Sequence, residues 1–233
     1  MLGTLQHPPM PVEDNADFKL LKVRTEDRQD AVNFLLSDFL CNEPLSMALA
    51  VTPEEGKPFF ELLVDSCLSC NASYLIRGKG DEISAMAINK IGALSDDGTY
   101  DAIDPLLFGP KCSKLADLLN HMAQYLAEHR EKCALPAKRD YLEIEILSVH
   151  SNWIGQGLAK KLLNASIEEA KSRGCAFAIT VATNVASQQL FAKWGFETLH
   201  KVMHKEYLDK QGCQIFNCKN NPTDCAKLMV KRW

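Results

Sequence analysis

Residues 141–161 read Tyr-Leu-Glu-Ile-Glu-Ile-Leu-Ser-Val-His-Ser-Asn-Trp-Ile-Gly-Gln-Gly-Leu-Ala-Lys-Lys, and a change of rhythm inside this stretch decides the fold. Leu142, Ile144 and Ile146 alternate with Glu143 and Glu145, the period of a strand with one face in a core. From Leu147 onward the apolar residues fall on odd numbers, Leu147 and Val149. A one-residue slip sends side chains to the opposite face, and a strand accommodates it through a bulge. Gly155-Gln156-Gly157 then opens a helix marked by Leu158, Leu162, Leu163 and Ala165. A bulged strand, a glycine turn and a helix start together make a place to hold a phosphate. Glycine lets backbone N–H groups approach a ligand with no Cβ in the way, and the helix N-terminus adds unsatisfied donors and the positive end of its dipole. Lys160 and Lys161 add charge at the rim. The spacing excludes two alternatives. A dinucleotide-binding turn needs a third glycine where Lys160 stands, and the Gly-Lys-Ser/Thr of a P-loop is absent. Taken alone, such a glycine pair more often just joins a strand to a helix.

On the N-terminal side, Phe18 to Val23 reads as a first strand. Thr25 is expected to cap a helix with an acidic first turn (Glu26, Asp27), running through Val32, Leu35, Leu36 and Phe39. Cys41-Asn42-Glu43-Pro44-Leu45 breaks that helix, with Pro44 suited to the first turn of the next. Thr52-Pro53-Glu54-Glu55 starts another through Phe60, Leu63 and Val64. Two strands, Ser73–Arg77 and Ile83–Ile91, flank the turn Gly78-Lys79-Gly80-Asp81-Glu82. Gly92 to Lys111 is loop-like, with Asp96-Asp97-Gly98 as turn chemistry. Leu115, Leu118, Leu119, Met122 and Leu126 mark an amphipathic helix expected to serve core packing only. On the C-terminal side come a strand Ala176–Thr183, a helix Ser187–Trp194 closed by Gly195, and two last strands, Thr198–Tyr207 and Ala226–Arg232. One α/β domain around a mixed sheet, spanning 17–233 after a flexible proline-rich tail of residues 1–16, accounts for these elements.

Composition narrows the function classes. The chain has 233 residues and 46% hydrophobic content, enough for a full core. A formal net charge of −4 without any Lys/Arg run argues against nucleic acid as a partner and suits a cationic substrate. No apolar run approaches a membrane span, so no membrane is expected, and Met1 to Asp17 lacks the apolar core of a signal peptide. Nine scattered cysteines fit reduced thiols, and a cytoplasmic location is the expectation. No metal is expected: His200 and His204, four residues apart on one strand, lie roughly 13 Å from each other. Cys213, Cys218 and Cys225 lack zinc spacing.

Leu147-Ser148-Val149 followed by Asn152-Trp153-Ile154-Gly155-Gln156-Gly157 resembles the acyl-CoA-binding motif of the GNAT acetyltransferase superfamily, with Asn152 where Arg or Gln is usual. A second block, Asn184 to Phe196, carries the family's Asn and its closing Gly195-Phe196. The resemblance reaches across roughly residues 18–232. It implies acetyl-CoA as co-substrate, a small-molecule amine as partner, and a splayed, bulged central strand within the mixed sheet, flanked by helices. Leu147, Ser148 and Val149 are then expected to pair with the thioester arm. Gly155, Gln156, Gly157, Leu158, Ala159 and Lys160 are expected to cradle the pyrophosphate, with Asn152, Asn184 and Phe191 completing the cofactor site. A monomer is the expected oligomeric state.

Asn42-Glu43-Pro44-Leu45 is similar to the Asp-Glu-Pro-Leu segment of the insect-type arylalkylamine N-acetyltransferases, a GNAT branch. The resemblance implies Glu43 as catalytic base. It also implies a hydroxyl pair near the thioester sulfur, falling here on Thr183 and Ser187. Many other GNAT enzymes place an acidic Tyr where Phe191 stands, which fits the hydroxyl-pair branch. Read from the residues alone, Glu43 is equally a carboxylate at a helix N-terminus, and Thr183 or Asn184 an ordinary cap. Glu143 and Glu145 are alternative bases, more readily read as pairing with neighbours or facing solvent, and His150 is a possible relay. The expected activity is acetylation of an arylalkylamine. A polyamine, agmatine or peptide acceptor, and a non-catalytic acyl-CoA sensor, are the alternatives.

Overall fold

The computed structural model describes residues 17–93, 100–136, 139–218 and 221–233. The tail of residues 1–16 and the turn Asp96-Asp97-Gly98 lie outside these. Strand β1 (Lys19–Lys22) leads through a short 3-10 turn into α1 (Arg28–Phe34), which continues as a π turn (Leu35–Phe39) and α2 (Leu40–Asn42). Thr25 is not the cap expected of it. The start of the turn is fixed instead by Asp27, whose carboxylate accepts the Arg24 N–H at 2.9 Å. The run ends at Glu43, where the backbone turns extended, and α3 (Pro44–Ala48) begins with Pro44 at its first position. α4 (Pro53–Leu68) starts on a capping box. Thr52 accepts from the Glu55 N–H, and Glu55 accepts from the Thr52 N–H.

Strands β2 (Tyr74–Arg77) and β3 (Ile83–Ala93) form the expected hairpin, and α5 (Pro110–Glu128) comes after the loop. Then come β4 (Asp140–Val149), α6 (Leu158–Ser172), β5 (Phe177–Ala182), α7 (Val185–Lys193), β6 (Glu197–Met203) and β7 (Cys225–Arg232). The seven strands stand in the order β1-β2-β3-β4-β5-β7-β6. All pairs are antiparallel except β4 with β5. His204 falls just past β6, in a 3-10 turn. His200 remains on β6, stacked on Tyr125 of α5 with ring centroids 3.9 Å apart.

Helices cover both faces. Leu142 and Ile144 of β4 pack with Leu163, Ile167 and Ala170 of α6, and Leu147 and Val149 pack with Leu158 and Leu162. Ile146 belongs to the opposite cluster, which holds the apolar residues of α1, α4 and α5. The slip of phase therefore falls one residue earlier than the apolar pattern suggests. Asn89 pairs with Ile144 and Ile88 with Ile146, so Glu145 is the extra residue of the bulge. Ile146 is apolar on either face, and pattern alone could not place the step. Among the described residues no helix is long and apolar enough to cross a membrane, and no group of three or more His, Cys, Asp or Glu is placed to hold a metal ion.

Candidate active site

The parallel seam between β4 and β5 is short. It runs from Tyr141↔Phe177 to Ile144↔Thr180 and stops at the bulge. Beyond it the strands part, so the β5-facing edge of residues 145–149 has no ladder partner among the described residues. The gap opens into a cavity of about 520 Å³. Leu147, Ser148 and Val149 line one wall, Thr180 to Asn184 another, and Gly155, Gly157, Leu158, Ala159 and Lys160 a third. Ser187 and Phe191 of α7 face the same space. Trp153 does too, its ring edge-on to Phe18 at 5.3 Å.

The glycine corner behaves as the sequence leads one to expect. Gly155 and Gly157 have φ of +87° and +76°, a region that disfavours L side chains. A Cβ at either position would meet nothing within 4 Å, so the space in front is open. Gly157 is the N-cap of α6 and offers no side-chain acceptor, which leaves the helix's first N–H groups free for a ligand. Uncapped amides, the helix dipole and an unpaired strand edge suit a pyrophosphate followed by an extended amide-bearing arm. Asn152 and Gln156, by contrast, do not line the cavity. The Asn152 N–H is donated to His150 Nδ1 at 3.1 Å, and the Gln156 N–H to the Trp153 carbonyl at 3.4 Å.

Glu43 stands where the helical run from residue 28 breaks, and is 7% exposed. Its Oε1 accepts the Leu45 N–H at 3.1 Å and Oε2 the Ser46 N–H at 2.7 Å, so the carboxylate caps α3. Thr183, 140 residues away and just past the end of β5, donates its hydroxyl to Glu43 Oε1 at 2.8 Å. Two of the sequence-derived candidates thus meet. Ser187 is turned differently: its hydroxyl donates to the Asn184 carbonyl at 2.8 Å. Asn184 caps α7 by accepting the Ala186 N–H. Phe191 is buried against Phe196, with centroids 5.0 Å apart.

A second, smaller cavity of about 70 Å³ adjoins the first. Phe39, Glu43, Glu145, Ile146, Val181 and Thr183 line both. Its inner walls are Phe59, Phe60 and Leu63 of α4 and Leu115, Leu118 and Leu119 of α5. α5 therefore does more than pack the core, and its chamber-lining leucines were not legible as site residues. Phe108 stands behind Phe59 at 5.2 Å and does not line the chamber. Glu43 and Glu145 are the acids of this lining. Glu143 and Glu145 do not simply face solvent. Burial pushes both carboxyls above the ordinary carboxylate range, Glu145 up to about 8 with Glu143 beside it adding to the effect, while Lys90 partly offsets it for both.

Residues 58–196 match the family model described as acetyltransferase (GNAT) family. Among solved structures, arylalkylamine N-acetyltransferase 2 from Aedes aegypti is similar at 28% identity and a TM-score of 0.78, covering 92% of this chain and 98% of its own. A putative arylalkylamine N-acetyltransferase 7 from the yellow fever mosquito gives 20% identity and a TM-score of 0.75, covering 92% and 87%. The Drosophila melanogaster polyamine N-acetyltransferase, which forms N-acetylagmatine, gives 17% identity and a TM-score of 0.74, covering 93% and 100%. The last two, at such identities, share the fold.

Proposed function

This chain belongs to the acetyltransferase (GNAT) family, and on that premise we propose that it is a cytosolic enzyme moving the acetyl group of acetyl-CoA to the primary amine of a small arylalkylamine of the dopamine, serotonin, tyramine or octopamine type. One observation carries the acceptor class. The smaller chamber is walled by Phe39, Phe59, Phe60 and leucines, and the carboxyl groups of Glu43 and Glu145 sit where it meets the larger cavity. An aryl ring directed toward the apolar end leaves its ammonium at the Glu43 carboxylate, where the two cavities join. A second cation, as in agmatine or spermidine, would be pushed into that apolar end without a partner, which burial penalises heavily.

The chemistry follows from the proton balance. An alkylammonium with a lysine-like pKa near 10.4 must first lose a proton, at a cost of about 4.6 kcal/mol at pH 7. Glu43 serves as base: among the described residues Oε2 accepts only the Ser46 N–H and keeps a lone pair for the amine or an intervening water. The neutral nitrogen attacks the thioester carbonyl, the C–N bond forms, and the C–S bond breaks as the tetrahedral intermediate collapses. Of the two protons the nitrogen gives up, one leaves to solvent and one returns to the thiolate. The Thr183–Glu43 hydrogen bond supplies a path for that return. Ser187, whose hydroxyl rests on the Asn184 carbonyl and which lines the same cavity, is the second hydroxyl available to reprotonate the thiolate.

The test is acetylated-product formation by mass spectrometry with acetyl-CoA and a panel of dopamine, serotonin, tyramine, octopamine, agmatine, spermidine and a lysine peptide. Acetylation of the arylalkylamines is expected. Product from agmatine or spermidine alone overturns the acceptor class and keeps the reaction. CoA binding with no product from any amine overturns the enzyme reading in favour of a sensor.

A further inference from the structure

Asp38 is a carboxylate that the proposed reaction does not use, yet it is 5% exposed. Burying an acid is unfavourable unless it is bonded to something. Its partners lie far along the chain. Oδ1 accepts the Ser151 N–H at 3.0 Å and lies 3.8 Å from His150 Nε2. His150 Nδ1 already accepts the Asn152 N–H, which assigns the ring proton to the nitrogen facing Asp38. These residues open the loop that ends at the glycine corner and the start of α6. On its own side, Asp38 sits in the π turn, where the Leu40 N–H reaches back to the Leu35 carbonyl. The extra residue of such a turn rotates the rest of the helix by about 100° around its axis, and such insertions are frequent at functional sites. The Asn42 side chain donates to the Asp38 carbonyl at 2.7 Å, and the Glu43 N–H to the Phe39 carbonyl at 2.8 Å. Asp38, His150 and Ser151 line neither chamber.

We propose that Asp38 is a positioning residue tying the phosphate-holding loop to the junction that carries the base, so that CoA on the loop stiffens the helix turn around Glu43. The loop and the junction come from distant parts of the chain, 113 residues apart at the Asp38–Ser151 bond, and this part-buried bond joins them directly. The proposal rests on the acetyl-transfer reading for the role of Glu43, but its test needs only CoA.

Ser151→Pro removes the bond from the donor side. Ser151 is the first residue of a 3-10 turn, a position that tolerates proline, and His150 before it has a ψ of 138°, in the extended range that a residue preceding proline favours. Asp38→Ala removes the bond from the acceptor side, while Asp38→Asn keeps an acceptor oxygen. Hydrogen exchange is followed by mass spectrometry at saturating CoA. Amides of residues 39–47 in the wild type are expected to slow about fivefold on adding CoA, the lower range of ordinary coupling. The slowing is lost in Ser151→Pro and in Asp38→Ala, and retained in Asp38→Asn. Protection that persists in the folded Ser151→Pro or Asp38→Ala protein comes from direct contact with CoA and overturns the proposal. So does a wild type that binds CoA with no slowing at 39–47. A wild type that shows the slowing but acetylates no amine overturns the enzyme reading and leaves the tie standing.

Discussion

Glu43 makes one carboxylate serve two ends. It caps α3 through the Leu45 and Ser46 amides and receives the Thr183 hydroxyl, while Oε2 keeps room for one more donor. Glu43→Gln preserves the shape and one acceptor oxygen but removes the base. Turnover is expected to fall roughly a hundred- to ten-thousand-fold, with acetyl-CoA affinity unchanged by calorimetry. Glu43→Ala should show the same kinetic loss plus about 1–2 kcal/mol of stability, the usual effect of deleting a cap. Unchanged turnover in either variant removes Glu43 from the chemistry. At this scale the sequence was informative where a residue's neighbours restrict it. An acid directly before Pro44, at the end of an apolar helical stripe, can be placed at a helix start with no structure. Asp38 could not be found that way: one acid in a helix reads as a solvated face, and only the π turn brings it inward.

The stretch from β4 into α6 joins a bulge, a glycine corner and an uncapped helix start. Gly157→Ala tests the corner. A φ of +76° costs a β-carbon-bearing residue about 1 kcal/mol, and the added methyl, meeting no protein atom, would occupy ligand space. Acetyl-CoA affinity is expected to weaken about tenfold, equivalent to ~1.4 kcal/mol, as read by quenching of Trp153 beside the cavity. Affinity equal to wild type would mean that the ligand's phosphates do not approach this corner. The existence and type of these elements were legible because period 2 gives way to period 3.6 across two glycines. The exact step of the bulge was not, since Ile146 satisfies a core on either face. The chamber-lining role of α5 was hidden for a related reason: Leu115, Leu118 and Leu119 read as core from periodicity, and a cavity wall has the same composition as a core.

Across the whole molecule, Glu169 of α6 fastens that helix to the far edge of the sheet. Its carboxylate accepts from Lys22 of β1, Tyr74 of β2 and Arg173 at the end of its own helix. Burial opposes the charge, but these three donors outweigh it and bring the carboxyl down to about 2. The folded state therefore binds the proton less readily than the unfolded chain. The stabilisation is complete above the unfolded carboxylate range and is lost as pH falls from about 5 toward 2, an effect of roughly 3 kcal/mol at most. Thermal melts over that interval should show a steep loss in the wild type and a shallower one in Glu169→Gln. Equal slopes would remove Glu169 from the acid response. Such ties, like the strand order that inserts β7 between β5 and β6, are beyond a sequence reading because they join residues with no local pattern in common. The seam between β4 and β5 has a further consequence. Four residue pairs hold two leaves of sheet together, and the free length beyond them is five residues, roughly 16 Å at 3.3 Å each. On that lever a rotation of about 5° moves the far lip by about 1.4 Å, the scale of a bond. The gauge of the slot is thus sensitive to a small angle between the two leaves, and on the proposed acetyl-transfer reading whatever holds that angle would hold the thioester in register with the amine.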